Sequence, residues 1–240
     1  MTSDRVVIHN SRHVPTLRVA EVFGPTIQGE GKHMGRQTHF IRLSGCNLSC
    51  SWCDTPYTWD WSGVNGTKYD RETESKIYTV EELVNLMDQS EATSVVITGG
   101  EPLVQAKALV ELANDLIYMG ISVEIETNGT RPCPDNISRS VQWNISPKLT
   151  TSGNANGIKP KALRSYPASA IYKFVITDPT DIDEINRLGL APSQVWLMPE
   201  GRTPTEINKR ALMVANLALT HGYNYSHRLH VTLWGNKRGH

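Results

Sequence analysis

The sequence predicts an α/β protein built on a parallel sheet, and three observations predict it. Apolar residues switch repeatedly between a period of two and a period near 3.6 along the chain. The strand-like runs alternate with helix-like ones, which implies right-handed crossovers between parallel strands. Turn residues close one strand after another, at Gly99-Gly100, Asn128-Gly129, Ser146-Pro147 and Pro199-Glu200. All four share the C-terminal edge of the sheet, where ligands of parallel α/β folds bind.

The elements follow in chain order. Residues 17–22 and 39–43 read as strands. Thr79-Val80-Glu81-Glu82 is a capping box that opens a helix to about residue 89. Residues 94–98 form a short buried strand, and a helix follows over 105–119 with Gly120 as its stop. Residues 121–127 and 141–145 are strands again. The strongest strand is 170–177, where Lys173 interrupts the apolar run and needs a polar environment. Asp178-Pro179 opens a helix closed by Gly189, 195–198 is a strand, and the longest helix runs over 205–221 before Gly222. Residues 228–234 alternate and predict a last strand. About six parallel strands thus follow residues 46–53, and periodicity alone fits an incomplete barrel or a doubly wound sheet. There is no internal repeat or linker, and 150–157 reads as a loop.

Composition narrows the function classes. The 240 residues suit one large α/β domain or two small ones. Apolar residues at 39% and charged residues at 20% exclude intrinsic disorder. Lys plus Arg and Asp plus Glu are both 24, so the net charge is zero. That excludes a strongly basic nucleic-acid binder and a polybasic membrane-surface binder. No apolar run approaches the ~20 residues of a membrane span. Residues 1–18 hold no apolar signal core, so a cytoplasmic protein is expected.

Three of the four cysteines lie in Cys46-Asn47-Leu48-Ser49-Cys50-Ser51-Trp52-Cys53, on a loop directly after the strand. Buried small hydrophobes are one reading, but a short polar loop does not resemble a core strand. A zinc site would draw a fourth ligand from His33 or His39. An iron–sulfur cluster usually takes four thiolates, and with three it leaves one iron open to a small molecule. Cys133, between Pro132 and Pro134 after a different strand, could supply a fourth thiolate, although an ordinary loop cysteine is the favoured reading.

With Trp52 before the third cysteine and Gly99-Gly100-Glu101-Pro102 at the next strand end, this loop resembles the radical S-adenosylmethionine (SAM) enzymes. The resemblance implies an incomplete (βα)6-type barrel, a [4Fe-4S] cluster on Cys46, Cys50 and Cys53, and SAM on the open iron. It implies one domain over 1–240, with 1–37 an N-terminal substrate-binding extension and 38–240 the core. Further segments resemble one branch, the 7-carboxy-7-deazaguanine synthase family, over about residues 19–239: residues 23–31, Arg42, Asp54-Thr55, Ser146-Pro147-Lys148, Met198-Pro199-Glu200-Gly201 and 229–239. That family contracts the ring of 6-carboxy-5,6,7,8-tetrahydropterin to 7-carboxy-7-deazaguanine with loss of ammonia, in 7-deazapurine and queuosine biosynthesis. It regenerates SAM and is assisted by magnesium. A homodimer and a flavodoxin-type reductase as electron donor are what it suggests of partners.

The resemblance assigns Ile27, Gln28, Gly29, Glu30, Arg42 and Thr98 to substrate. Glycine permits close backbone approach, and an amide beside a carboxylate suits a guanine-like edge. The Arg42 guanidinium near the end of a buried strand needs a partner. A substrate carboxylate is a good bidentate one, and a structural ion pair is the alternative. SAM takes Trp52, Cys53, Asp54 and Gly100, with Glu101 placing negative charge near its ammonium. Ser146, Pro147, Lys148, Met198, Pro199, Glu200 and Gly201 complete its expected site. Thr55 is expected on magnesium, which prefers oxygen, although Asp-Thr-Pro is also a plain turn. Tyr57, Trp59, Trp61 and Tyr69 are expected to pack, Lys173 is a weaker candidate, and the tail at Gly239-His240 receives no contact. Two other readings share part of the pattern. A glycyl-radical-activating enzyme would act on protein, which residues 26–31 and Arg42 disfavour. A zinc-binding interaction module would be colourless and would not need the Gly-Gly-Glu-Pro turn.

Overall fold

The computed structural model describes residues 14–240, so residues 1–13 of the expected extension lie outside the described residues. The strands are β1 (Thr16–Ile27), β2 (Gln37–Leu43), β3 (Lys76–Thr79), β4 (Ser94–Gly99), β5 (Ser122–Thr127), β6 (Gln142–Ile145), β7 (Ile171–Ile176), β8 (Val195–Pro199) and β9 (Asn224–Tyr225). They form one sheet in the order β3-β1-β2-β4-β5-β6-β7-β8-β9. β1 runs antiparallel to β2 and to β3. Every pair from β2–β4 to β8–β9 is parallel. β3 and β9 are both edges, so the sheet curls without closing, and the incomplete barrel is the architecture observed.

The helices are α1 (Arg71–Glu74), α2 (Val80–Gln89), α3 (Ala106–Tyr118), α4 (Pro160–Leu163), α5 (Asp181–Asn186), α6 (Pro204–His221) and α7 (Leu229–Trp234). Both halves of the capping box open α2: Glu82 N–H donates to Thr79 Oγ1 at 3.1 Å and Thr79 N–H to Glu82 Oε2 at 2.7 Å. α6 opens on the same device, Thr203 with Glu206, and carries Pro204 in its first turn. α3 ends where Gly120 takes φ 83°. No helix among the described residues is long and apolar enough to cross a membrane.

Strand side chains alternate between two environments. Val95, Ile97, Val123, Ile125, Trp143, Ile145, Tyr172, Phe174, Val195 and Leu197 turn outward into one apolar core with Leu83, Leu109, Leu112, Leu116 and Val214 of the helices. Their neighbours Thr98, Glu126, Lys173, Val175 and Met198 turn inward onto a cavity.

Two sequence expectations are corrected. β1 runs on to Ile27, five residues beyond its expected end, and delivers residues 28–30 to the mouth of the barrel. Residues 228–234 are not a strand: the last strand is the two-residue β9, and 229–234 form α7. The alternation of Leu229, Val231 and Leu233 imitates a strand, yet only Val231 is buried and Leu233 is exposed. Ion pairs of Arg228 with Glu30 and Asp54 pull the chain across the barrel mouth. Helical bonds then follow, Thr232 N–H to the Arg228 carbonyl at 3.1 Å and Gly235 N–H to Val231 at 2.9 Å.

Candidate active site

One cavity of about 440 Å³ opens at the C-terminal edge of the parallel strands. It brings together Ile27, Gln28, Gly29, Glu30, Arg42 and Thr98 with Cys46, Cys50, Trp52, Cys53, Asp54 and Thr55. The ends of β4, β6 and β8 add Gly100, Ser146, Lys148, Met198, Glu200 and Gly201. Glu101, Pro147 and Pro199 do not line it. Glu101 is fully buried, and its carboxylate accepts from Leu103 N–H, Thr127 Oγ1–H and Asn128 N–H at 2.7 to 3.0 Å. It ties the end of β4 to the end of β5.

The cysteine loop is fixed by backbone. Gly45 N–H reaches the Thr58 carbonyl at 2.7 Å, and Glu101 N–H reaches the Gly45 carbonyl at 2.8 Å. A Cβ on Gly100 would stand 2.2 Å from that carbonyl oxygen, so only glycine fits under the loop. The three thiols line one wall of the cavity, and among the described residues no three His, Cys, Asp or Glu side chains already converge on a point. Burial pushes all three thiols up, Cys46 to about 12. They therefore stay protonated until a soft cation takes them. Two donors already point at the sulfurs and suit thiolates: Asn154 Nδ2–H donates to Cys50 Sγ and Trp59 Nε1–H to Cys53 Sγ, both at 3.3 Å. Trp59, expected as packing, thus serves the loop, and so does Asn154 from the segment read as a plain loop. Lys148 Nζ donates to Ser146 Oγ at 2.7 Å and lies 5.6 Å from the centre of the Trp52 ring. The Trp52 indole N–H is buried without a partner. A cation, an unsatisfied donor and a glycine cradle beside three thiols fit an iron–sulfur cluster with a small zwitterionic ligand. Cys133 does not line the cavity; its backbone N–H is bonded to Ser165 Oγ at 2.8 Å.

Thr55 lines the cavity with its Oγ1 3.8 Å from Cys53 Sγ, and its carbonyl accepts from Thr58 N–H at 3.0 Å. Arg42 Nε donates to Glu21 at 3.1 Å, and Tyr57 O–H donates to the same carboxylate at 3.1 Å. Arg42 therefore already has one anionic partner while its side chain forms part of the cavity wall.

The opposite wall is a buried charge network. Lys173 Nζ donates to Glu30 Oε2 at 2.5 Å and to Glu126 at 3.2 Å. Arg228 Nε donates to Glu30 Oε1 at 3.0 Å, and the same guanidinium donates to the Asp54 carboxylate and the Gly201 carbonyl. Gln28 Nε2 donates to Glu124 at 3.3 Å and Glu126 at 3.4 Å, and His33 Nδ1 pairs with Glu124 at 2.6 Å. Burial alone would raise the Glu30 pKa, but Lys173 and Arg228 overcome it and hold Glu30 well below the usual carboxylate range. Asp54 is likewise held low by Arg228 against its burial. Glu126 is pushed up, burial outweighing its lysine. A Cβ on Gly29 would stand 2.0 Å from the His230 ring, so the substrate-side segment is seated directly on α7.

Lys173, the weaker candidate of the sequence, belongs to this network, whereas Arg228 and His230 carry no such signal, because they lie in a segment that reads as strand. Residues 236–240, to which no contact was assigned, line the cavity, with the Arg238 guanidinium 3.5 Å from the Tyr57 ring centre.

The molecule is similar to proteins of known kind. Residues 40–144 match the Radical SAM superfamily. A 7-carboxy-7-deazaguanine synthase of Pyrobaculum aerophilum is 36% identical over 94% of this chain and 98% of its own. One of Halobacterium salinarum is 34% identical over 97% and 96%. The crystal structure of QueE from Escherichia coli superposes with a TM-score of 0.71 at 26% identity, covering 90% of this chain and 95% of that one.

Proposed function

This chain belongs to the 7-carboxy-7-deazaguanine synthases, a branch of the radical SAM superfamily, and from that premise we propose how its cleft works. The reaction is the ring contraction of 6-carboxy-5,6,7,8-tetrahydropterin to 7-carboxy-7-deazaguanine with release of ammonia. The observation that carries this reading is the meeting, in one cavity, of three thiols with an amide, a carboxylate and a guanidinium. Cys46, Cys50 and Cys53 would hold the [4Fe-4S] cluster, and Trp52, Asp54, Gly100, Ser146, Lys148, Met198, Glu200 and Gly201 would hold SAM. Bound there, these groups would supply the one-electron chemistry of the reaction.

The chain's own residues bind and orient. Glu30, kept ionised by two cations, accepts from the N–H edge of the pterin's pyrimidine ring, and Ile27 and Gly29 let that edge come close. Gln28 holds Glu124 and Glu126 in place behind it. Arg42 takes the substrate carboxylate on the part of its guanidinium that Glu21 does not use, and Thr98 adds a hydroxyl. Thr55 would offer magnesium a hydroxyl oxygen, the donor type that ion prefers. A homodimer in the cytoplasm, reduced by a flavodoxin-type reductase, is the assembly we propose.

The test is anaerobic reconstitution followed by incubation with the tetrahydropterin, SAM, dithionite and magnesium. An ultraviolet-absorbing deazapurine and one equivalent of ammonia are expected, with SAM not consumed in proportion. A reconstituted protein that forms neither would overturn the reading.

A further inference from the structure

Arg228 touches three segments that are far apart in sequence. Its Nε donates to Glu30 at 3.0 Å, and its two terminal nitrogens donate to the Asp54 carboxylate and the Gly201 carbonyl. Glu30 belongs to the substrate side, Asp54 directly follows the third cluster cysteine, and Gly201 ends the β8 segment on the SAM side. The side chain is 9% exposed, so this guanidinium is a buried fork with fixed donor directions. Among the described residues no hydrogen bond joins Glu30 to Asp54 directly, and their negative charges oppose one another. The cation between them is what holds them in one frame.

Glu30 is gripped from both sides, since Lys173 takes its other oxygen at 2.5 Å. Each oxygen keeps a second lone pair, so a ligand donating to that carboxylate shares it with Lys173 and Arg228 and shifts the balance of their bonds. Lys173 is itself fixed on β7 between Glu30 and Glu126. Arg228 stands where β9 gives way to α7 and leads directly to Asp54 and Gly201.

We propose that Arg228 is a positioning residue that couples the two ligands: pterin bound on Glu30 tightens the binding of SAM on the Asp54 and Gly201 side, and SAM tightens pterin by the same factor. The coupling rests on the functional reading above. It is a statement about binding equilibria, which must be reciprocal, and not about the chemical step.

The test uses the reconstituted [4Fe-4S] protein without reductant, so that nothing turns over. Calorimetry gives the dissociation constant of SAM with and without saturating 6-carboxytetrahydropterin, and the reverse. Wild type is expected to show one factor in both directions, on the order of five- to tenfold. Arg228→Lys keeps the charge without the three-way fork, and Arg228→Gln keeps a donor without the charge. Both are expected to bring the factor to about one, with iron content and cluster absorbance unchanged. The proposal is overturned if either variant keeps the full factor, or if both affinities fall while their ratio stays intact, as simple loss of packing would give. Loss of iron in both variants overturns it too, because Arg228 would then serve the folding of the cysteine loop. A wild-type protein that binds SAM but not the pterin overturns the functional reading itself, and one that binds both independently overturns only the coupling.

Discussion

The two faces of β5, β6 and β7 are both buried, and they are buried by different means. Outward, Val123, Ile125, Trp143, Ile145, Tyr172, Phe174 and Ile176 disappear under helices. Inward, Glu124, Asn144 and Lys173 are almost as inaccessible and Glu126 is half-buried, yet each is satisfied by a polar partner. A buried apolar surface stabilises in proportion to its area. A buried ionic network gains little on balance, and loses heavily when one member is removed. The outer face is thus where the protein keeps its stability, and the inner face is where it tolerates a costly arrangement for the sake of a shaped, charged cleft.

The sharpest break on the cleft side is Cys50→Ala. Iron binding after reconstitution and product formation should both be lost, while circular dichroism shows the outer core intact. Next come neighbouring residues on β7 that face opposite ways. Lys173→Met leaves Glu30 and Glu126 without their shared cation, which should cost about 3–5 kcal/mol in urea unfolding and also lower turnover per folded molecule at least tenfold. Phe174→Ala opens a cavity of similar cost, about 3–5 kcal/mol, with turnover per folded molecule close to wild type. If Lys173→Met keeps wild-type turnover, the division between the faces fails.

Smaller effects refine the cleft itself. Arg42→Lys keeps a cation near Glu21 but removes the planar fork, so product formation should drop roughly tenfold with the cluster spectrum unchanged. Unchanged turnover and substrate affinity would leave Arg42 as the structural partner of Glu21. Thr55→Val should reduce the stimulation by magnesium several-fold without loss of iron; equal stimulation in both proteins removes Thr55 from that role. The smallest change is Cys133→Ala, expected to cost at most about 1 kcal/mol and to leave iron content and activity alone. Loss of the cluster there would mean a fourth cysteine ligand.

The outer face was legible from the sequence because it obeys periodicity. Alternation at residues 122–127 and the capping box at Thr79 and Glu82 each follow from local chemistry, and both appear in the structure. The equivalent box at Thr203 and Glu206 is equally local. β3 escaped because four residues give too short a pattern. The cysteine loop was legible through its spacing. The partners of Glu30 were not, because Lys173 and Arg228 lie 143 and 198 residues away from it. The hydrogen bonds that fix Glu101 were equally illegible, because Thr127 and Asn128 lie 26 and 27 residues away.

The seating of residues 29–31 on the segment 226–230 has a consequence in time. Gly31 N–H is bonded to Ser226 Oγ across 195 residues of chain. On a ribosome adding about 5–20 residues per second, the cysteine loop emerges early, and the seat for residues 29–31 arrives on the order of ten to forty seconds later. During that interval a nascent chain has its thiols outside the tunnel but no finished pocket over them. Cluster insertion and completion of the substrate cleft are therefore separable events in biosynthesis, and a chain stalled before Ser226 should present the first without the second.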